Sequence, residues 1–287
     1  MESGHHKVFA DCLAERLNDG QQQQQQTTNH HQVSVVIPDL FRGQPIMRPW
    51  LENTSFLKDM VGSLFGAPGM VFRIKNYPPQ KVEQEIFQMI LPWLQEEAPK
   101  ATSLGGVGFC FGGWVVGRVL GFESTAEKDA ATTTTTTTDD SSNHDEATIA
   151  PRLSFQCGVG IHPSFDPNIL HGEAPATMAA RIFKPMLLLP GWNDISMKPG
   201  SNVVNIMTQN RMQQMQKSAD SAASTADNET KQEDTDKQKE ETVIVSVEFP
   251  SMGHGWVTRG DPSDPKVAAE QEKALEMTVE FIQKHAA

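Results

Sequence analysis

The sequence predicts an α/β protein whose β-sheet is mostly parallel and carries helices on both faces. Short apolar runs alternate along the chain with longer segments in which apolar residues recur at helical spacing. This alternation is typical of strands that are joined by helices. The run at residues 185–190 is apolar throughout, as in a strand buried on both faces of a parallel sheet. A chain of 287 residues is long enough for a single domain of this class.

The first predicted element is an amphipathic helix at residues 7–18, because its apolar residues fall on one face. A β-rich run at residues 33–37 predicts the first strand, which stops at Pro38. Apolar residues at helical spacing between positions 82 and 94 then predict a second helix. Pro92 is expected to end or kink that helix, since proline lacks the N–H that a helix interior needs.

Four further strands are predicted in the rest of the chain, each an apolar run bounded by turn residues or glycine. They are Leu104–Phe109, Phe155–Ile161, residues 185–190 and residues 243–249. A helix is predicted around residues 202–216. The last helix is predicted to begin at Asp264 and Pro265, a pair that is typical of helix starts.

Three segments of low complexity interrupt this pattern, near residues 21–32, 124–150 and 217–241. The first contains a glutamine run, the second a threonine run, and the third is polar and charged. Such compositions predict insertions in surface loops, without a role in binding. Loops tolerate insertions because the entropy of loop closure grows slowly with length.

Composition excludes several classes of partner. The formal net charge is -12 and the pI is near 5.2, which argues against a nucleic acid or an anionic membrane surface as partner. The three cysteines are sparse and lack metal-ligand spacing, so a reducing compartment is expected. No apolar run approaches the length of a membrane span. We therefore expect a soluble, cytoplasmic protein.

The stretch GFCFG, with Cys110 at its centre, is the most informative motif. It matches the nucleophile elbow G-x-S-x-G with cysteine in place of serine, between a predicted strand and an apolar helix start. A sharp turn strains the nucleophile's backbone, and side chains at Gly108 and Gly112 are expected to collide with neighbouring elements. The helix N-terminus that follows favours thiolate over thiol. The alternative is a buried structural cysteine beside glycines that allow close packing.

Two other residues complete a possible catalytic triad with Cys110. Asp194 and His254 each follow a predicted strand, and the carboxyl ends of parallel strands meet at one edge of the sheet. The order nucleophile, acid, histidine is that of the α/β-hydrolase topology. The thiol would attack an acyl carbon, the imidazole would move the proton, and the carboxylate would orient the imidazole. Alternatively, Asp194 only stabilises a turn.

On these motifs the chain resembles the dienelactone hydrolase (carboxymethylenebutenolidase-like) family of the α/β-hydrolase superfamily. The matching stretches are VIPDLFRG at 36–43, GVGFCFGG at 106–113, LPGWND at 189–194 and MGHGW at 252–256. They span most of the chain outside the three low-complexity segments. The cysteine elbow is the most specific of them.

The resemblance implies hydrolysis of an ester or lactone through a cysteinyl acyl-enzyme, with no metal or organic cofactor. It implies Cys110 as nucleophile, Asp194 as acid and His254 as base. The backbone N–H of Phe111 would be one oxyanion donor. Arg259 resembles an arginine that contacts a substrate carboxylate in this family, although an arginine exposed on a loop is the simpler interpretation. The implied partner is therefore a small-molecule ester or lactone.

The chain also departs from the family pattern. Family members begin with further strands and a loop that supplies the second oxyanion N–H and a glutamate near the cysteine. The helix at residues 7–18 matches the helix after that loop, so we expect a sheet without those N-terminal strands. An incomplete or degenerate, non-catalytic relative is therefore an alternative to the hydrolase. A cysteine-dependent acyl transferase is a third. The sequence does not predict the oligomeric state.

Overall fold

A four-stranded parallel β-sheet forms the centre of the part of the chain that the structure describes. The computed structural model describes residues 4–24, 33–38, 74–101, 103–133, 153–225 and 243–286. The strands are β1 (Leu104–Phe109), β2 (Phe155–Ile161), β3 (Met186–Leu189) and β4 (Ile244–Ser246). Their order in the sheet follows their order in the chain. The prediction of an α/β protein with a parallel sheet is confirmed.

Nine α-helices lie among the described residues. They are α1 (Gly4–Gln24), α2 (Pro79–Glu85), α3 (Leu91–Glu97), α4 (Phe111–Thr133), α5 (Pro167–Leu170), α6 (Pro175–Ala179), α7 (Asn202–Thr225), α8 (Trp256–Arg259) and α9 (Pro265–His285). A π-helical turn at Ile86–Ile90 joins α2 to α3, and a 3₁₀ turn occupies Ile195–Met197. No described helix combines the length and the apolar character that crossing a membrane requires.

Apolar layers cover both faces of the sheet. Met186 and Leu188 of β3 belong to one buried cluster, whereas Leu187 and Leu189 belong to another. Successive side chains of a strand point to opposite faces, so the two clusters lie on opposite sides of the sheet. Helices α2, α4 and α7 contribute to the first cluster, and α1, α8 and α9 contribute to the second. This agrees with helices on both faces.

Helix α4, which follows β1, packs very closely on the sheet. A Cβ atom added to Gly158 of β2 would lie 2.6 Å from Val116 Cγ1 and 2.7 Å from Leu120 Cδ1. The buried side chain of Arg118, on the same helix, forms ion pairs with Glu83 at 2.6 Å and with Glu173 at 2.5 Å. These contacts hold the first half of α4 against β2 and link it to residues outside the sheet.

The predicted strand at residues 33–37 is wrong. These residues are described, but they form no strand. The backbone N–H of Val33 donates to Asn18 Oδ1 at 2.9 Å, and Asn18 Nδ2 donates to the carbonyl oxygen of Val33 at 3.1 Å. Local β-propensity predicts an extended backbone, but a strand also needs a neighbouring strand with which to pair. Here the backbone of Val33 forms its hydrogen bonds with the side chain of Asn18 on α1.

Helices extend into all three low-complexity segments, which we predicted as loops. Helix α1 continues to Gln24, α4 to Thr133 and α7 to Thr225. Glutamine, alanine, glutamate and lysine are good helix formers, so a polar segment after a helix can prolong it. The remainder of these segments, at residues 25–32, 134–150 and 226–241, lies outside the described residues.

The remaining predicted elements agree with the structure apart from their ends. The chain is helical from residue 79 to residue 97 and does not stop at Pro92. Pro92 is the second residue of α3, which begins directly after the π-helical turn. The predicted strand at residues 243–249 is shorter, and beyond it Phe249 forms an isolated parallel bridge with Gly191. The side chain of Asp264 accepts a hydrogen bond from the N–H of Lys266, as expected for the cap of α9.

Candidate active site

Cys110 lies on a tight turn between β1 and α4. Its φ of +51° falls in the left-handed region, which is uncommon for residues other than glycine and costs free energy. The Cys110 N–H donates to the Ile161 carbonyl at 3.2 Å, and its carbonyl accepts from Gly113 at 3.0 Å and Ser164 at 3.2 Å. Three hydrogen bonds therefore fix the strained backbone of this cysteine.

The glycines around Cys110 have different steric roles. A Cβ atom on Gly108 would collide with the carbonyl group of Gly112, and one on Gly113 would lie 2.6 Å from Pro163 Cβ. A Cβ atom on Gly112 would meet nothing within 4 Å. Our expectation of a collision thus holds for Gly108 and is wrong for Gly112.

The structure brings Cys110, Asp194 and His254 into direct contact. His254 Nε2 lies 2.9 Å from Cys110 Sγ, and His254 Nδ1 lies 2.6 Å from Asp194 Oδ1. Each residue follows the carboxyl end of a strand: Cys110 follows β1, Asp194 follows β3 and His254 follows β4. The imidazole therefore bridges a thiol and a carboxylate at one edge of the sheet.

Asp194 also stabilises its own turn. Its Oδ2 accepts a hydrogen bond from the Gly191 N–H at 2.7 Å, and its N–H donates to the Gly191 carbonyl at 3.1 Å. The carboxylate is buried, with 7% of the residue exposed. The two interpretations of Asp194 are compatible, because one carboxylate oxygen holds the turn while the other contacts His254.

The surroundings of His254 favour its protonated form. Burial lowers the pKa of His254, but the hydrogen bonds and charges of Asp194 and Cys110 outweigh it and raise the pKa to about 10. At neutral pH the imidazolium then donates from both ring nitrogens, to Asp194 and to the Cys110 sulfur. The geometry and the charges therefore favour a protonated His254 imidazole beside the Cys110 sulfur.

The loops that carry the acid and the histidine are joined to each other. The N–H of Trp192 donates to the Met252 carbonyl at 2.8 Å, and the His254 N–H donates to Asn193 Oδ1 at 2.6 Å. Asn193 was not among the residues predicted from the sequence to be functional. A polar residue directly before the acid was the only available signal, and it equally indicates an ordinary turn.

Arg259 lies at the end of α8 and contacts the histidine loop. Its Nη2 donates to the backbone carbonyl of His254 at 3.0 Å, and the residue is exposed. A side chain on Gly255, whose φ is +85°, would collide with this guanidinium group. Contact of Arg259 with a substrate carboxylate stays a prediction.

Phe111 is the first residue of α4, and its side chain is buried. The N–H groups of a first helical turn point out of the helix end, where they attract negative charge. Its backbone N–H therefore lies directly after Cys110 at a helix N-terminus, the position that the predicted oxyanion donor would need. The role itself stays a prediction.

His162 is a buried neighbour of His254 that was not predicted from the sequence to be functional. It follows β2 as Cys110 follows β1, and its φ of +39° is again in the left-handed region. Its N–H donates to the Leu189 carbonyl at 2.9 Å. Its ring packs edge-on against that of His254, with 5.1 Å between centroids, and so forms one wall of the histidine site.

The other cysteines lie in different environments. Cys157 is fully buried on β2, and burial raises the pKa of its thiol to about 12. Cys12 is partly exposed on α1. Within the described ranges, no group of three or more His, Cys, Asp and Glu side chains is arranged to hold a metal ion.

Comparison of the chain with family models, with curated proteins and with solved structures found no match.

Proposed function

We propose that the chain is an α/β-hydrolase-type enzyme that cleaves an ester or lactone through a cysteinyl acyl-enzyme. The observation that carries this proposal is the position of the His254 imidazole, 2.9 Å from Cys110 Sγ and 2.6 Å from Asp194 Oδ1. Nucleophilic acyl transfer needs a thiol in contact with an imidazole, and a carboxylate in contact with the other side of that imidazole. The strained turn at Cys110 supports the same assignment.

The first half of the reaction forms a thioester. The Cys110 thiolate attacks the carbonyl carbon, and negative charge develops on the carbonyl oxygen, where the Phe111 N–H would stabilise it. The bond to the leaving oxygen then breaks, and His254 Nε2 gives that oxygen its proton. In a lactone the leaving alcohol stays attached to the acyl group.

The second half regenerates the enzyme. His254 takes a proton from water, which attacks the thioester carbon. The carbon–sulfur bond breaks, the carboxylic acid leaves, and the thiolate is again paired with the imidazolium. Asp194 keeps the imidazole in one orientation throughout and stabilises its charged form. None of these steps needs a metal or an organic cofactor.

The substrate class follows from the resemblance to dienelactone hydrolases, and it rests on Arg259. A guanidinium group has five N–H donors and matches a carboxylate geometrically, so a residue that gives one N–H to His254 can also bind substrate. We therefore propose a small lactone or ester that carries a carboxylate. Cytoplasmic localisation and the absence of a nucleic-acid partner stay predictions from composition.

Two alternatives remain. A non-catalytic relative would keep the contacts of Cys110 but show no turnover. An acyl transferase would pass the acyl group from Cys110 to an added thiol or alcohol in preference to water.

The test is hydrolysis of a small activated ester and of dienelactone between pH 5 and 9. The wild-type chain is compared with Cys110→Ala and His254→Ala, and Cys12→Ala is the matched control. Turnover that is lost in the first two variants and kept in the control supports the proposal. A folded wild-type protein with no turnover above buffer would refute it. Product formed on an added alcohol in preference to acid would indicate the transferase.

A further inference from the structure

We propose that Asn193 is a positioning residue for His254, a role that deepens the proposed function and rests on it for the importance of that histidine. Its Oδ1 accepts a hydrogen bond from the backbone N–H of His254 at 2.6 Å. The two residues are 61 positions apart in the chain, so the contact belongs to the tertiary structure. Because the side chain of Asn193 accepts this hydrogen bond, it restrains the main chain of the proposed base.

Consecutive residues of one loop hold two different parts of the same histidine. Asp194 contacts the ring at Nδ1, at 2.6 Å, and Asn193 contacts the backbone. A ring that is attached only through Nδ1 can still move with its own main chain. The contact with Asn193 fixes the main chain of His254. The position of Nε2 relative to Cys110 Sγ is therefore restrained both through the ring and through the backbone.

The loop that supplies both contacts is itself well braced. Gly191 donates to Asp194 Oδ2 at 2.7 Å, Trp192 donates to Met252 at 2.8 Å, and Gly191 forms a parallel bridge with Phe249. Asn193 therefore connects the histidine loop to a loop that is itself held at the edge of the sheet.

The histidine loop needs this support because of its own sequence. Glycines stand on both sides of His254, and Gly255 adopts a φ of +85°. Glycine has the greatest conformational freedom of all residues, so its neighbours are not held by local backbone preferences. The contact with Asn193 removes freedom that the two glycines would otherwise allow.

Loss of the acceptor should therefore weaken the contact between His254 Nε2 and Cys110. In Asn193→Ala we expect kcat to fall about 10- to 100-fold with little change in KM, because a small misplacement of a reacting group has effects of this size. We also expect iodoacetamide to alkylate Cys110 more slowly at pH 7, because the sulfur loses part of its contact with the imidazole. Asn193 is exposed, so its truncation leaves the core intact.

The experiment compares Asn193→Ala, Asn193→Asp and Asn205→Ala. Aspartate keeps an oxygen acceptor at the same position, and its charge favours the imidazolium. Asn205 is an exposed asparagine on α7 whose side chain donates to the Gly200 carbonyl at 3.1 Å, a backbone group outside the histidine loop. Ester hydrolysis gives kcat and KM, and mass spectrometry after timed iodoacetamide treatment at pH 7 gives the alkylation rate of Cys110. We expect the alanine variant alone to lose activity and to be alkylated more slowly at Cys110.

Two results would overturn the proposal. One is a wild-type kcat and a wild-type alkylation rate of Cys110 in Asn193→Ala. The other is an equal loss in Asn193→Asp, since the acceptor would then be irrelevant. Alkylation needs no ester, so the two proposals can fail separately. If the wild type hydrolyses nothing but Cys110 is still alkylated more slowly in Asn193→Ala, the hydrolase proposal fails and the positioning role stands.

Discussion

His254 and Cys110 are 144 positions apart in the chain, and their side chains meet at 2.9 Å between Nε2 and Sγ. On the other side of the ring, Asp194 lies 2.6 Å from Nδ1. Each contact adds negative charge beside the imidazole, so the proton of His254 is held more tightly than in a free histidine. These two contacts of His254 lead to predictions about the reactivity of the Cys110 thiol, the pH dependence of the stability of the fold and the effect of several substitutions.

The thiol of Cys110 should react far faster with iodoacetamide at pH 7 than that of Cys157. The former is paired with an imidazolium, whereas burial raises the pKa of the latter to about 12 and shields it from reagent. Peptide mapping after timed alkylation measures both rates. In His254→Ala, the alkylation of Cys110 at pH 7 should slow down. An unchanged rate would show that the imidazole does not activate the thiol.

Replacement of Asp194 by asparagine should lower kcat about 10²- to 10⁴-fold, the usual contribution of acid–base catalysis. The variant keeps the shape of the side chain but loses the charge that raises the pKa of His254. We therefore also expect the His254 pKa to fall, which an NMR titration of the imidazole measures. Asp166→Asn, at an exposed position, is the control. A wild-type imidazole titration in Asp194→Asn would contradict this account.

The stability of the fold should depend on the protonation of His254. Its pKa rises from 6.5 to about 10 in the folded protein, so protonation stabilises the folded state. The contribution is fully present below pH 6.5 and is lost as the pH rises through about 10. Urea unfolding of wild type and His254→Gln at pH 6, 8 and 10 tests this. The difference in unfolding free energy should shrink with rising pH, and a constant difference would be evidence against the linkage.

Gly108→Ala and Gly112→Ala form a matched pair. A Cβ atom at position 108 collides with the Gly112 backbone, so we expect destabilisation of about 1–3 kcal/mol or more. A Cβ atom at position 112 meets nothing, and alanine in a helix should change the unfolding free energy by no more than about 1 kcal/mol. Thermal or urea unfolding measures both. Equal effects would mean that crowding at the elbow does not explain Gly108.

Arg259→Met should separate substrate binding from support of the histidine. If Arg259 binds a substrate carboxylate, KM should rise about tenfold or more for a carboxylate-bearing lactone and stay unchanged for a neutral ester. Arg181→Met is the control, because Arg181 is exposed and pairs with Glu173 at 3.0 Å. A lower kcat for both substrates would instead assign Arg259 to the support of the His254 loop.

The sequence predicted the positions of the three contacting residues because a simple rule links sequence to space. Residues that follow parallel strands share one edge of the sheet, so Cys110, Asp194 and His254 needed only correct strand assignments. Asn193 and His162 follow strands in the same way, but they lie in short turns where Asn and His-Pro have ordinary local explanations. Their contacts with His254 depend on how two loops approach each other.

The wrong predictions of secondary structure have a similar origin. Residues 33–37 have the composition of a strand, but pairing depends on a neighbouring strand that local sequence does not specify. Low-complexity segments were treated as loops from their first residue, whereas α1, α4 and α7 continue into them. Composition locates such segments well and predicts the ends of the adjoining helices poorly.

The close approach of α4 to the sheet links the interior of the protein to Cys110. Val116 and Leu120 occupy the space that a side chain at Gly158 would fill, so the absence of a methyl group there permits the short distance between helix and sheet. Cys110 directly precedes α4, so a larger residue at position 158 should shift the cysteine together with the helix. The spacing between Cys110 and His254 is then expected to depend on a glycine inside the core.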